Sequence, residues 1–212
     1  MKLHLPAHET IRVELFDEKA IVVAEHRVVT RYSPYSIKTN QSLSASLVFT
    51  VTNLETRFII PQSQIIVEKN GLPLMFNSTS GSNVPNRFKT DQITDAGLKV
   101  EDNIIKMEVK DSKEKNLGTR IIERTWTEEI TRVISIRNET GREARKIVLE
   151  VSDDPANQIV YQGAEPEPDE INLPTRTWKV GLAVDEERKV TLIFHYHRKE
   201  QIEVQPLDGK NK

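Results

Sequence analysis

Residues Ser42 to Asn53 read SLSASLVFTVTN, with Leu43, Ala45, Leu47, Phe49 and Val51 in one register and mostly Ser and Thr in the other. Successive side chains on a strand point to opposite faces, so this period of two predicts a strand with one buried face. The β-branched content supports it. The same rhythm recurs outward from this stretch. Thr10 to Leu15 (TIRVEL) alternates, and Ala20 to Val29 is a more continuous apolar run. Ile65 to Lys69 ends at Asn70-Gly71, a strong hairpin signal because both residues tolerate positive φ. Leu72 to Phe76 is the return strand, with Pro73 placing it at an edge. Ile104 to Lys110, Ile121 to Asn138, Ala144 to Ser152, Ile159 to Gln162, Arg176 to Val180 and Lys189 to His197 complete the set. Ile121 to Asn138 has Trp126, Ile130, Ile134 and Ile136 in phase, and is long enough to bend or to form two strands.

Many short strands with turn residues between them predict an all-β fold. The expected architecture is an antiparallel β-sandwich in two packed β-domains. The first spans 1–112, the second, immunoglobulin-like, spans 119–205, and 206–212 is a disordered tail. The boundary is set near Lys110 to Gly118, where charge is dense and apolar residues are scarce. Glu108 to Leu117 (EVKDSKEKNL) has no apolar stripe and reads as a solvated hairpin tip or linker rather than a helix. Asn77 to Asn86 reads as a long polar mobile loop, and Glu165 to Glu170 (EPEPDE) as an extended, solvated one.

The 212 residues carry 30 Lys and Arg against 32 Asp and Glu. That balance lacks the positive surplus of a nucleic-acid binder. A mean hydropathy of -0.50 is polar but compatible with a folded core. Cysteine is absent, which excludes disulfides, thiolate nucleophiles and cysteine-ligated metals. No stretch approaches eighteen apolar residues, so no transmembrane segment is expected. MKLHLP at the start carries no apolar signal region. The chain is expected in the cytoplasm as written, or in the periplasm or outside the cell if an export signal precedes it.

The sequence contains no nucleophile elbow, Walker loop, dinucleotide fingerprint or zincin motif, so no catalytic residue and no cofactor is assigned. His195-Tyr196-His197 is the metal candidate. On a strand, His195 and His197 share a side ~7 Å apart and could hold zinc or copper if a third ligand arrived. Read differently, they are surface residues, with Val190, Leu192, Phe194 and Tyr196 as the core face. His4 and His8 sit near the terminus. Glu128-Glu129 and Asp153-Asp154 are adjacent carboxylates, the first pair on opposite faces of a strand and the second in a turn. The runs Arg142 to Lys146 and Asp185 to Lys189 mix signs and fit surface edges. Trp126, Tyr161 and Trp178 are the ligand-binding candidates: an exposed ring could stack on a sugar, whereas a buried one anchors the core. Asn77-Ser78-Thr79 and Asn138-Glu139-Thr140 are sequons.

Trp126 to Asn138 (WTEEITRVISIRN), RKIVLEV at 145–151 and RTWKVGLAVDEERKVTLIFHYH at 176–197 follow one another in a distinctive order. Together they resemble the C-terminal β-domain of the mucoidy-inhibitor-A-like proteins, a domain of unknown function. Asn138, Trp178, Asp185-Glu186-Glu187 and Phe194 to Tyr196 occupy the corresponding places. Ser46 to Gly71 is similar to the family's preceding segment, so the resemblance spans roughly 46–204. It implies an all-β module and brings no catalytic motif. Typical members add an N-terminal β-domain, often a coiled coil, and many an export signal; this chain does not show those parts.

The expected function is a non-enzymatic β-sandwich module for protein binding or assembly, with a protein partner or a homo-oligomer. A carbohydrate-binding module and a metal-dependent hydrolase, the latter using His195 and His197 with a carboxylate such as Glu128, are the alternatives.

Overall fold

A computed structural model describes residues 20–54, 61–69, 72–81, 86–118, 121–139 and 145–203. The expectations placed on residues 10–15, on Asn70-Gly71, on the tail 206–212 and on His4 and His8 lie outside the described residues. The strands are β1 (Ile21–Arg31), β2 (Gln41–Leu43), β3 (Ala45–Thr52), β4 (Ser63–Lys69), β5 (Leu72–Thr79), β6 (Phe88–Lys89) and β7 (Ile93–Thr94). They continue with β8 (Leu98–Asn116), β9 (Ile121–Asn138), β10 (Arg145–Ser152), β11 (Ile159–Glu165), β12 (Glu170–Asn172), β13 (Thr175–Leu182) and β14 (Glu187–Glu203). Among the described residues helix is confined to two 3-10 turns, Ser36–Lys38 and Pro155–Asn157. The fold is all-β, as the two-residue periodicity requires. No helix among the described residues is long and apolar enough to cross a membrane.

The chain divides into two compact units, Met1–Ala24 with Val48–Gln92 and Glu25–Leu47 with Ile93–Lys212. The cut at 112/119 expected from sequence falls in the β8–β9 hairpin, inside the second unit. Dense charge there marks solvated strand arms.

In the first unit β4 and β5 pair antiparallel, with Lys69 opposite Leu72 on either side of Asn70-Gly71, and the register shifts near Pro73. Thr50 and Val51 of β3 pair with Lys89 and Phe88 of β6. The polar stretch from Asn77 is not wholly a loop, since Asn77 to Thr79 belong to β5. Thr79 is buried and its hydroxyl donates to the Lys89 carbonyl at 2.6 Å. Ser78 Oγ and Ser80 Oγ donate to Asp91 at 2.5 and 2.8 Å.

The second unit contains two sheets. One follows the order β12-β13-β10-β1 and continues to β3, with Leu47 of β3 paired to Ile93 of β7. The other is β11-β14-β9-β8-β2. The described ladders are antiparallel except β1–β10, which runs parallel from His26↔Ile147 to Arg31↔Ser152. This departs from the all-antiparallel expectation: β1 and β10 are far apart in sequence, so no short turn dictates their direction.

Alternation places Ile130, Ile134 and Ile136 of β9 and Val190, Leu192 and Phe194 of β14 on one inner face. Ile147, Leu149 and Val151 of β10 and Trp178 and Leu182 of β13 lie on the facing sheet, and all belong to one buried cluster. Phe194 meets Tyr32 edge-on at 4.7 Å, a favoured aromatic geometry.

Arg132, which alternates in phase with those isoleucines, is also fully buried. Its Nε donates to Asp102 Oδ1 at 2.9 Å, its Nη1 to the Ile37 carbonyl at 2.6 Å and its Nη2 to the Thr39 carbonyl at 2.8 Å. Tyr32 Oη donates to Asp102 Oδ2 at 2.9 Å. A buried charge requires such pairing and hydrogen bonding. Here it ties the Ser36–Lys38 turn to β9 and β8.

Candidate functional site

β8 and β9 pair from Leu98↔Asn138 to Asn116↔Ile122, and β14 pairs β9 from Glu187↔Arg137 to Glu203↔Ile121 without a register shift. β9 is therefore one strand, and Leu117 N closes the hairpin on the Ile121 carbonyl at 2.9 Å. Glu108 to Leu117, expected as a solvated hairpin tip or linker, is instead β8 strand as far as Asn116, and the turn begins only at Leu117. Only the first half of β8 is inward-packed: Leu98, Val100 and Asp102 are buried, whereas every residue from Ile105 to Asn116 is exposed. β2 pairs β8 only at Val100 to Asp102. β11 pairs β14 only as far as Tyr196. Past those limits β8, β9 and β14 form a three-stranded arm. Among the described residues no strand pairs with either of its edges.

Ile105, Met107 and Val109 lie on the arm at 61%, 53% and 59% exposure. Register shifts between Ile104 and Lys106 and between Val109 and Asp111 mark two β-bulges on this strand. Bulges bend a strand and re-aim its side chains, and they concentrate at sheet edges and beside functional sites.

Across the arm the charges alternate in sign. Lys110 Nζ lies 3.2 Å from Glu108 and 3.1 Å from Glu129, and Lys199 Nζ is 2.7 Å from Glu123. The Lys110 ammonium beside Glu129 holds that carboxyl below its usual range. On the opposite face Glu128 pairs with Lys38 and accepts from Trp126 Nε1 at 2.9 Å. Burial pushes the Glu128 carboxyl up, but the Lys38 and Trp126 hydrogen bonds outweigh it and keep the group below the ordinary carboxylate range.

His195 and His197 share a face as expected, with ring centroids 6.2 Å apart. His195 Nε2 lies 3.4 Å from Glu129 Oε2, and His197 Nδ1 lies 2.9 Å from Thr127 Oγ1. The carboxylate beside His195 is thus Glu129, while Glu128 points to the other face with Lys38. Adjacent residues of a strand cannot share a side. Among the described residues no three His, Asp or Glu side chains converge as a metal site would need.

The aromatic candidates separate by burial. Trp178 is buried and its Nε1 donates to the Pro166 carbonyl at 2.8 Å, so it anchors the core and offers no ring to a sugar. Tyr161 packs edge-on against Phe194 at 5.9 Å, and the Arg176 guanidinium covers its ring at 3.9 Å. Arg176 is held in turn by Asp153 at 3.1 Å. Trp126 is half-buried between Arg124 and Arg198, whose guanidinium carbons lie 5.7 and 5.2 Å from its ring. It borders an open groove of ≈ 610 Å³ together with Lys113, Thr125, Gln158 and His197. Cations already occupy its surroundings, which favours cation–π contacts over stacking on a neutral sugar.

Two features sequence reasoning singled out are structural. Asn138 is fully buried and its Nδ2 donates to the Ala183 carbonyl at 3.0 Å, and Asn77 Nδ2 donates to the Asp91 carbonyl at 3.0 Å. Sequence reasoning missed the clusters built on Arg132 and on Asp95. Asp95 Oδ2 lies 2.6 Å from His26 Nδ1 and pairs with Arg145, and its Oδ1 accepts from Gly97 N at 3.0 Å. A charged residue in phase with a core-facing alternation, such as Arg132 between Ile130 and Ile134, was the available signal for the first.

No family model, curated protein or solved structure matches the chain.

Proposed function

We propose that the chain is a non-enzymatic β-sandwich module for protein binding or assembly, and that the β8–β9–β14 arm is the part that engages the partner. The observation that carries this reading is the exposed run of β8 from Ile105, with Ile105, Met107 and Val109 all more than half exposed on an edge that no strand among the described residues pairs. Ordering each backbone residue costs roughly 1–2 kcal/mol, and the distal arm recovers little of that by core burial. The β8 edge offers exposed apolar side chains to a partner, and the regular β14 edge offers main-chain hydrogen bonds, with alternate side chains giving specificity. The arm's charges are closely balanced, so the reading favours a protein segment of mixed charge over a polyanion such as nucleic acid. We extend the proposal to an immunoglobulin-like class for the second unit, on the strength of its two facing sheets. The mucoidy-inhibitor-A-like resemblance adds no activity.

The test is a photo-crosslinking amino acid placed at Met107 or Val109 in native cells, against a control at Lys146, an exposed position on β10. Adducts of defined mass should form from the arm positions and be lost on Ile105→Asp. Equal yields at Lys146 would refute the reading.

A further inference from the structure

The two open edges of the arm are unlike. β8 carries two bulges, which disfavour regular pairing of its outer side. β14 pairs β9 in unbroken register through Glu203, and among the described residues no strand pairs its other side beyond His197. His197 N donates outward to the Gln158 carbonyl at 3.0 Å. In an antiparallel ladder the N–H and C=O of one residue face the same side, and the side alternates along the strand. Lys199, Gln201 and Glu203 therefore present main-chain donors and acceptors at this edge that no strand among the described residues takes up.

We propose that this edge pairs with the same edge of a second copy of the chain, antiparallel, with the two-fold axis through Gln201. The inference rests on the arm being an assembly element and names its partner. Symmetry and charge select the register. Outward-facing residues must oppose outward-facing residues, so the axis passes through a residue of the strand. An axis through Lys199 sets Lys199 against itself. An axis through Glu200 sets Glu200 against itself, and one through Ile202 brings no opposite charges together. An axis through Gln201 sets Lys199 opposite Glu203 twice, Gln201 opposite Gln201, and Glu200 opposite Ile202. Like charges directly opposite are destabilising and opposite charges stabilising. This register forms about six main-chain hydrogen bonds. It also draws Ile202, 42% exposed, toward its symmetry mate. Lys199 is 60% exposed, so its ammonium can serve Glu203 of the other copy while retaining Glu123.

The chain contains no cysteine, so single cysteines report the register directly. Opposed residues at a hydrogen-bonded antiparallel position sit about 5.5 Å apart between Cα atoms, within disulfide reach. Under mild oxidation of the full chain, Gln201→Cys should crosslink at least about tenfold faster than Lys199→Cys or Glu203→Cys, because only position 201 meets its own copy. Sedimentation velocity supplies the second measurement. Glu203→Lys should weaken self-association, as should Lys199→Glu, and combining the two should restore it. Equal crosslinking rates at the three positions, or a charge swap that does not restore association, would overturn the proposal. A chain that stays monomeric at every concentration overturns it too. Photo-adducts at Met107 report only the β8 edge, so their loss or survival separates failure of the binding reading from failure of this one.

Discussion

Replacing Arg132 by Met tests the least expected part of the structure. The guanidinium is fully buried beside a fully buried Asp102 and donates to the carboxylate and to carbonyls of Ile37 and Thr39. Met preserves length and apolar bulk but removes every donor. Among the described side chains Asp102 then keeps the Tyr32 hydroxyl at 2.9 Å, and the charge stays buried. Breaking a buried ion pair from one side costs about 3–5 kcal/mol. Each orphaned buried carbonyl adds about 1–3 kcal/mol in isolation, with incomplete additivity. The expected loss is therefore about 4 kcal/mol or more, a large share of a typical 5–15 kcal/mol stability. Urea unfolding followed by circular dichroism, with slope and midpoint compared, measures it. Arg132→Met combined with Asp102→Leu should cost less than the sum of the single changes, because no lone charge remains. If Arg132→Met does not fold well enough to measure, Arg132→Lys serves instead. It keeps the charge, loses the planar fork and should still be clearly destabilising. A cost below about 1 kcal/mol for Arg132→Met would refute the claim that this side chain braces the turn at Ser36–Lys38.

Burial pushes the Asp95 carboxyl up, yet the hydrogen bonds from His26 and Gly97 and the charge of Arg145 outweigh it and set it below the ordinary value. A depressed carboxylate stabilises the fold above the unfolded pKa, near 3.9, and that contribution is lost as pH falls through the folded value. Asp95→Asn should thus shrink the stability difference between neutral and acidic pH, read from denaturation midpoints across that window; an unchanged pH profile would contradict the assignment. Trp178→Ala should destabilise by about 3–5 kcal/mol as a core truncation, while Trp126→Ala should cost clearly less, and equal losses in thermal or urea melts would overturn the division between anchor and surface ring. Metal analysis of untagged protein should find no stoichiometric zinc or copper, and His195→Ala should leave the melting temperature unaltered by added zinc relative to the parent.

The all-β class was legible because each strand of the core repeats its apolar residues at two-residue spacing, whatever its partner. The β8–β9 hairpin was legible only in part: the start of β8 and the whole of β9 alternate, but the charged run from Glu108 to Asn116 has no apolar stripe and gave no sign that the strand continues. The shared face of His195 and His197 followed from their two-residue spacing on one strand. Local periodicity cannot say which strands meet, so the parallel β1–β10 ladder and the division of the chain into discontinuous units were out of reach. The same holds for the partners of charged side chains. Asp102 and Arg132 are 30 residues apart, and His26 and Asp95 are 69 apart.

The amino-acid order alone therefore determined which face of each strand is apolar, because that depends only on the pleat. Tertiary structure decided that Glu129 rather than Glu128 stands beside His195, that Trp178 is sealed while Trp126 is flanked by arginines, and that no strand among the described residues pairs the distal edges of β8 and β14. Those outcomes depend on sheet order and register, which are set by the collective burial of residues distant in the chain.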